Sequence, residues 1–167
     1  MIGPPGAGKS VFAERLGRLL GIEVFHLDSL YWRRGVPPSP EEWATLERAV
    51  IERGQWIIDG NYSATLAARL RAADTAIFLD FPSFICLARF VRRRLQKGHV
   101  PGMPPGRRPS VNWATLRGIV SFRNDHRPAF LEELAKREDG LRIVVLRTQR
   151  AVRRFLAELE AVVRPEG

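Results

Sequence analysis

The stretch Gly3-Pro4-Pro5-Gly6-Ala7-Gly8-Lys9-Ser10 matches the pattern G-x-x-x-x-G-K-[S/T] of phosphate-binding loops at every defined position. An apolar-periodic run begins directly after it, at Val11 and Phe12, and predicts that the loop opens a helix. The glycines of the loop let backbone N–H groups close around phosphate oxygens without an intervening Cβ. We therefore expect Lys9 to reach the β- and γ-phosphates of a nucleotide and Ser10 to ligate Mg²⁺.

Only Met1 and Ile2 precede this loop. A phosphate-binding loop normally follows the carboxyl end of a central parallel strand, so that strand is predicted to be almost absent here. Our expectation is that the first residues of the strand lie upstream of Met1, which then occupies an apolar strand position. A sheet without this strand should lose both stability and nucleotide affinity.

The composition bounds the architecture. The 167 residues are 45% hydrophobic and 27% charged, which suits a single domain over residues 1–167 with a full core. No apolar run is long enough to span a bilayer and no basic-then-apolar leader precedes the loop, so we expect no membrane association and a cytoplasmic location. The single cysteine, Cys86, lies among apolar neighbours and is predicted to be a small core residue rather than a nucleophile.

The formal net charge of +9 is carried by one segment, from Arg89 to Arg127. This segment holds 10 lysines and arginines against one acid, Asp125, whereas 17 basic and 17 acidic residues balance in the rest of the chain. In a nucleotide-binding protein such a segment is typical of a charge clamp that closes over phosphates. Nucleic-acid binding stays open as an alternative, because a phosphate backbone attracts the same field.

Two aspartates follow predicted strands, Asp28 after residues 22–26 and Asp59 after residues 55–58. Ligands of open parallel sheets bind at the carboxyl ends of the strands. Asp59 is therefore predicted to hold the Mg²⁺ shell opposite Ser10. Asp28 has two open interpretations: it serves the site, by coordinating Mg²⁺ through water or accepting a proton from an acceptor hydroxyl, or it caps the next turn.

Strands alternate with helices along the rest of the chain, which predicts an α/β fold with a parallel sheet and helices on both faces. Ser39 or Pro40 is predicted to open one helix and Ser63 to cap another. His26 is expected to make local contacts only, and the aromatic residues of the loop 31–40 either contact an acceptor or pack on the core. The other predicted elements are helices over 82–97 and 149–163 and strands over 75–80 and 141–146.

The segment 97–112 is rich in glycine and proline and lies between two basic helices. Its composition predicts a short lid, although a passive surface loop would have a similar sequence. The helix that follows is predicted to carry Arg117, Arg123 and Arg127, with a break or kink at Pro128.

Four segments of the chain resemble adenylate-kinase-like P-loop kinases, and most of all the DNA topology modulation protein family. They are GPPGAGKS at 3–10, HLDSLYW at 26–32, WIIDGNYS at 56–63, and LDFP at 79–82 followed by Arg89 and Arg93. The resemblance implies a P-loop NTPase fold with a three-layer parallel sheet, and ATP and Mg²⁺ as cofactors.

The resemblance also implies roles for single residues. Arg89 and Arg93 are expected to stack near the ATP base and contact its phosphates, and Arg123 is expected to flank the lid. Both acceptor-phosphate arginines of adenylate kinases are absent at their expected places, which disfavours AMP as the acceptor. The residues expected to bind the nucleotide are Gly3, Pro4, Pro5, Gly6, Ala7, Gly8, Lys9, Ser10, Val11, Arg89 and Arg93.

Taken together, the residues and the resemblance predict an ATP- and Mg²⁺-dependent phosphotransferase in which positioning and electrostatics carry the rate. The acceptor is expected to be a nucleotide or a small hydroxyl compound. A nucleotide-binding regulator acting on DNA and an ATPase without a small acceptor stay open as alternatives. The predicted catalytic residues are Lys9, Asp28, Asp59, Arg93 and Arg123, and the predicted metal ligands are Ser10 and Asp59.

Overall fold

The structure is a computed structural model that describes residues 1–95, 113–136 and 140–163. These residues form a mixed α/β fold with short parallel strands. The strands are β1 (Val24–His26), β2 (Ile57–Asp59), β3 (Thr75–Leu79) and β4 (Arg142–Leu146). The helices are α1 (Lys9–Leu20), α2 (Leu27–Tyr31), α3 (Pro40–Ile51), α4 (Leu66–Ala72), α5 (Ser83–Leu95), α6 (Trp113–Asp125), α7 (Arg127–Ala135) and α8 (Gln149–Val163). None of the described helices combines the length and the apolar character needed to cross a membrane.

The strands pair in parallel, β1 with β2 and β3 with β4. Residues 1 and 2 lie between the two pairs and bond to both. The Gly60 amide donates to the Met1 carbonyl at 3.2 Å, the Ile2 amide donates to Ile77 at 3.0 Å, and the Leu79 amide donates to Ile2 at 3.0 Å. The α/β class and the parallel pairing are therefore confirmed. The described residues form two two-stranded pairings joined by Met1 and Ile2, rather than one continuous sheet.

The core is built around β3, whose apolar sequence is buried from Ala76 to Leu79. Successive side chains of a strand point to opposite sides. Ile77 and Leu79 accordingly pack with residues of α1, α5 and α8, whereas Ala76 and Phe78 pack with residues of α4, α6 and α7. Cys86 is fully buried in the first of these clusters, as expected of a small core residue.

Several element boundaries follow the sequence pattern closely. Helix α1 ends at Gly21, whose φ of +69° is in the left-handed region that favours glycine. Helix α3 is opened by Ser39, which forms a reciprocal capping box with Glu42. Helix α8 has the predicted bounds.

Two local predictions were wrong. Ser63 caps no α-helix: residues 63–65 form a 3₁₀ turn, and α4 begins only at Leu66. Leu27–Tyr31 were expected to form the end of a strand and the start of a loop, but they form α2. This helix is too short to show an apolar period in the sequence. The predicted break near Pro128 is present, but it lies at His126, because the proline ring fits the first turn of α7. The predicted lid, 97–112, lies outside the described residues.

Candidate phosphate-binding site

The loop 3–10 turns tightly against α5 before it enters α1. Gly6 and Gly8 have φ values of +82° and +93°, which L side chains rarely adopt. A Cβ at Gly6 would lie 2.3 Å from the carbonyl oxygen of Cys86 in α5. Glycine is therefore required at position 6 for a second reason besides the approach of a phosphate, because the backbone of α5 occupies the space that a side chain would need.

The Lys9 ammonium folds back over the loop. Its Nζ donates to the carbonyl of Gly3 at 2.9 Å and to that of Pro4 at 3.2 Å. Burial lowers the pKa of Lys9, and the negative charges of Asp59 and Asp28 only partly oppose this effect. An anion bound in the loop would supply the counter-charge that the carbonyl dipoles provide incompletely.

Ser10 and Asp59 meet at the start of α1 and the end of β2. The Ser10 hydroxyl donates to Asp59 Oδ2 at 2.7 Å, and His26 Nδ1 lies 3.0 Å from the same oxygen. Burial alone would raise the pKa of Asp59. The hydrogen bond with His26, the charge of Lys9 and the Ser10 bond outweigh burial and hold the pKa below its usual range. Asp59 is therefore a carboxylate, and its other oxygen, Oδ1, is buried with no hydrogen-bond partner.

This pair fits a divalent cation. A hydroxyl and a carboxylate are the oxygen ligands that Mg²⁺ prefers, and an unpartnered buried carboxylate oxygen is what a cation would satisfy. Among the residues that the structure describes, no cluster of three or more His, Cys, Asp or Glu side chains could hold a metal. Mg²⁺ is usually bound through one or two protein groups, with phosphate oxygens and water as the other ligands, and Ser10 and Asp59 could supply the protein groups.

Sequence reasoning missed the part played by His26. The parallel register places His26 beside Asp59 on the neighbouring strand, and its Nε2 lies 3.7 Å from Glu14 Oε1. Burial lowers the pKa of His26. The hydrogen bond with Asp59 and the charges of Asp59 and Glu14 raise it by a larger amount, so the net shift is upward. The signal in the sequence is that both residues end predicted strands.

The residues after Asp59 connect the loop with Asp28. Asn61 accepts from the Gly3 amide at 3.1 Å and donates to the Gly3 carbonyl at 2.8 Å. The Tyr62 hydroxyl donates to Asp28 Oδ1 at 3.1 Å. Burial and the neighbouring Asp28 charge raise the pKa of Tyr62. Sequence reasoning identified Asp28 but neither Asn61 nor Tyr62 as its link to the loop.

Asp28 is exposed in the first turn of α2, next to a group of aromatic rings. The ring of Tyr62 lies 5.0 Å from that of Tyr31 and 4.8 Å from that of Trp43, measured between centroids. Such contacts stabilise rings of this size and leave an apolar wall beside the carboxylate. Beyond Tyr31, a cavity of about 400 Å³ lies between the loop 30–38 and the start of α3.

A second cavity, of about 300 Å³, lies between the loop, α5 and α8. Arg89 and Arg93 line it, as does Arg92. Arg89 donates to the Ala7 carbonyl at 2.9 Å and to Gln149 Oε1 at 2.7 Å. Its guanidinium lies 4.4 Å from the centroid of the Phe81 ring. Burial lowers the pKa of Arg93. The volume and the apolar and cationic lining suit a small anionic ligand with a planar part.

Arg123 and Arg127 lie elsewhere. Arg127 binds both oxygens of the buried Asp80, at 2.9 and 2.8 Å, and Arg147 contacts the same carboxylate at 3.3 Å. Arg123 is exposed, and its charge acts on Asp80. It does not line the cavity beside the loop.

The structure thus gathers most of the predicted site residues at one place. Ser10 bonds to Asp59, Lys9 acts on Asp59 through its charge, and Arg89 and Arg93 line the adjoining cavity. Asp28 is connected to them through the segment 60–62. A scan against protein-family models gives no match for the chain, and a search of curated proteins gives no significant match.

Proposed function

We propose that this chain is an ATP- and Mg²⁺-dependent phosphotransferase of the P-loop kinase type. One observation carries the proposal. The loop that opens α1 carries a partly buried lysine ammonium next to a serine whose hydroxyl lies 2.7 Å from the buried carboxylate of Asp59. A nucleoside triphosphate bound with Mg²⁺ would give each of these three groups a partner. The phosphates would pair with the Lys9 ammonium, and Mg²⁺ would be bound by the Ser10 hydroxyl and the Asp59 carboxylate.

The proposal extends to the fold, a three-layer sheet with helices on both faces. Met1 and Ile2 bond to β2 on one side and to β3 on the other, which supports the sheet order β1, β2, residues 1–2, β3, β4. The alternate packing of β3 supports helices on both faces. In such a sheet, ligands bind at the carboxyl ends of strands where the order reverses, and the proposed order would put the loop at that position.

The residues of the loop have defined tasks in this proposal. The loop amides, the amino terminus of α1 and Lys9 hold the phosphates of the donor. Ser10 and Asp59 hold Mg²⁺, which when bound neutralises charge that develops on the phosphates. Arg89 and Arg93 hold the base and offset phosphate charge from the cavity side. Arg123 would have to approach from its exposed position on α6.

Asp28 has the task of orienting the acceptor, a nucleotide or a small molecule with a hydroxyl group. The support is its exposed carboxylate beside the aromatic rings of Tyr31 and Tyr62. A carboxylate can accept the hydroxyl proton during transfer, and the rings offer an apolar surface to the acceptor.

Two arginines of the basic segment are engaged inside the protein, which favours the kinase proposal over DNA binding. Arg89 is bonded to the loop and Gln149, and Arg127 is bonded to Asp80. Guanidiniums with internal partners contribute less to an external surface for a phosphate backbone. An ATPase without an acceptor would use the same loop and stays distinguishable only by assay.

Lys9→Ala tests the proposal, with the exposed Lys136→Ala as the matched control. We expect Lys9→Ala to lower turnover at least ~100-fold in a coupled assay of ADP release, because it removes the charge that stabilises the transferring phosphates. Calorimetry should show weaker binding of Mg-ATP. Lys136→Ala should match the unmodified chain in both measurements.

Screening nucleosides, nucleotides and small alcohols in the same assay identifies the acceptor class. ADP release that no added compound accelerates would favour the ATPase. Unchanged turnover and binding in Lys9→Ala would remove the proposal.

A further inference from the structure

A buried ion pair lies behind the candidate site, where neither partner contacts the loop. Glu47 of α3 and Arg69 of α4 are 2% and 4% exposed, and Arg69 Nε lies 3.4 Å from Glu47 Oε1. Desolvation of two buried charges costs several kcal/mol, and an apolar pair of similar volume is often as stable or more stable. Packing alone therefore gives no reason for these two residue types.

The other end of the Arg69 guanidinium binds backbone. Nη1 donates to the Gly60 carbonyl at 3.0 Å, and Nη2 donates to the Tyr62 carbonyl. The two carbonyls flank Asn61, so one planar group with fixed donors sets the backbone direction before and after that residue. Glu47 lies on the opposite side of the guanidinium, within ion-pair distance but without a hydrogen bond to Arg69 Nε.

Residues 60–62, whose backbone Arg69 binds, form the hydrogen bonds that connect the loop and Asp28. Asn61 forms two hydrogen bonds with Gly3, the first residue of the loop, and Tyr62 bonds to Asp28. We infer that Arg69 is a positioning residue, which acts through residues 60–62 to fix the loop and Asp28 relative to each other. Its consequence for catalysis rests on the proposed function, whereas its effect on the loop does not.

The test uses a variant that separates packing from positioning. In the double variant Glu47→Met/Arg69→Met both charges are replaced by side chains that fill the space, while the donors to the two carbonyls are lost. Arg69→Lys keeps a charge beside Glu47 without the paired, planar donors. Leu134→Ala is the matched core variant, since Leu134 is buried in α7 in a cluster that includes Ile2 but none of residues 60–62.

Hydrogen exchange of the Gly3 amide, followed by NMR, reports the position of the loop directly because this amide donates to Asn61. We expect the double variant to melt near the temperature of the unmodified chain, yet to exchange this amide roughly five- to tenfold faster, as the loss of one hydrogen bond allows. Arg69→Lys should accelerate the exchange in the same direction. Leu134→Ala should lower the melting temperature and leave local opening at Gly3 unchanged.

Calorimetry with Mg-ATP then connects the loop to function, with weaker binding expected in both Arg69 variants. Native-like exchange at Gly3 in the double variant or in Arg69→Lys would overturn the inference. If the unmodified chain does not bind Mg-ATP but the Gly3 amide responds as expected, the proposed function is wrong and the positioning role stands.

Discussion

Asp59 interacts with two separate parts of the chain, the start of α1 and the end of β1. Ser10 of α1 and His26 of β1 both bond to its Oδ2, and the Lys9 charge helps to keep it ionised. Because these partners hold one oxygen, the unpartnered Oδ1 is the atom that bound Mg²⁺ would satisfy. Asp59 thus links the loop 3–10 to the end of β2 through its hydrogen bond with Ser10.

Asp59→Asn tests this role with little change in shape. The amide keeps a carbonyl oxygen for Ser10 but removes the negative charge, and Mg²⁺ strongly prefers carboxylate over neutral oxygens. We expect the Mg²⁺ concentration for half-maximal activity to rise at least ~10-fold, which corresponds to about 1.4 kcal/mol. Asp125→Asn, at the exposed end of α6, should leave the titration unchanged. An unaltered Mg²⁺ requirement in Asp59→Asn would remove Asp59 from the metal shell.

Gly6 and Gly54 have the same φ of +82° but different surroundings. A Cβ at Gly6 would lie 2.3 Å from the Cys86 oxygen, whereas nothing lies within 4 Å of a Cβ at Gly54. We expect Gly54→Ala to cost only backbone strain, about 1 kcal/mol of the free energy of unfolding. Gly6→Ala should cost at least ~3 kcal/mol, since overpacking against rigid backbone adds to that strain. Denaturant unfolding measures both, and equal losses would show that the loop can move away from α5.

At the scale of the elements, Asp80 at the end of β3 forms ion pairs with Arg127 of α7 and with Arg147, which follows β4. Burial would raise the pKa of this carboxyl, but the Arg127 hydrogen bonds and charge and the Arg147 bond lower it. A lowered folded-state pKa means that the stabilisation is complete above the unfolded value of about 3.9 and is lost as the pH falls through the folded value.

Arg127→Ala should therefore destabilise in a pH-dependent way. At pH 7 we expect a loss of about 2 kcal/mol, the contribution of hydrogen bonds to a charged group. The difference from the unmodified chain should shrink as the pH falls below about 4, since protonated Asp80 gains little from a cation. Arg154→Ala breaks an exposed pair with Glu158 and should change stability little at any pH. A loss in Arg127→Ala that is constant from pH 7 to pH 3 would contradict this account.

Helices whose ends are set by neighbouring residues can be predicted from the sequence. Contacts between residues that are far apart in the chain cannot. The glycine end of α1, the Ser39 cap and the bounds of α8 follow from residues within one or two turns. Asn61 meets Gly3 across 58 positions of the chain. Nothing near either residue encodes that pair, because it depends on how strands are placed side by side.

The same distinction between local patterns and distant contacts applies to the candidate site. Lys9, Ser10 and Asp59 could be named from the sequence, since the loop has a fixed spacing and a carboxylate must follow a neighbouring strand. Their actual contacts also involve His26, which the parallel register of β1 and β2 places beside Asp59. The buried Glu47 and Arg69 had no signal at all, because a charged residue on a helix normally faces solvent.

At the scale of the whole molecule, the net charge of +9 leaves two kinds of phosphate ligand to distinguish. A nucleotide held by the loop depends on a few partly buried contacts, which salt screens weakly. DNA held by exposed arginines depends on counterion release, so its affinity falls about 10³- to 10⁵-fold between 50 and 200 mM salt when 6–10 phosphates are contacted. The two modes therefore differ in their response to salt and in their dependence on Lys9.

Thermal melting separates the two modes, because a ligand of the folded state raises stability by mass action. Mg-ATP at 100 times its dissociation constant should add about 2.7 kcal/mol, which raises the melting temperature of a chain of this size by roughly 5–10 °C. We expect the rise to persist at 200 mM salt and to be absent in Lys9→Ala. A short DNA duplex should raise it only at low salt, and equally with or without Lys9. A shift by duplex that persists at high salt, with none by Mg-ATP, would assign the basic segment to nucleic acid, because a nucleotide pocket cannot leave stability unaffected by its own ligand.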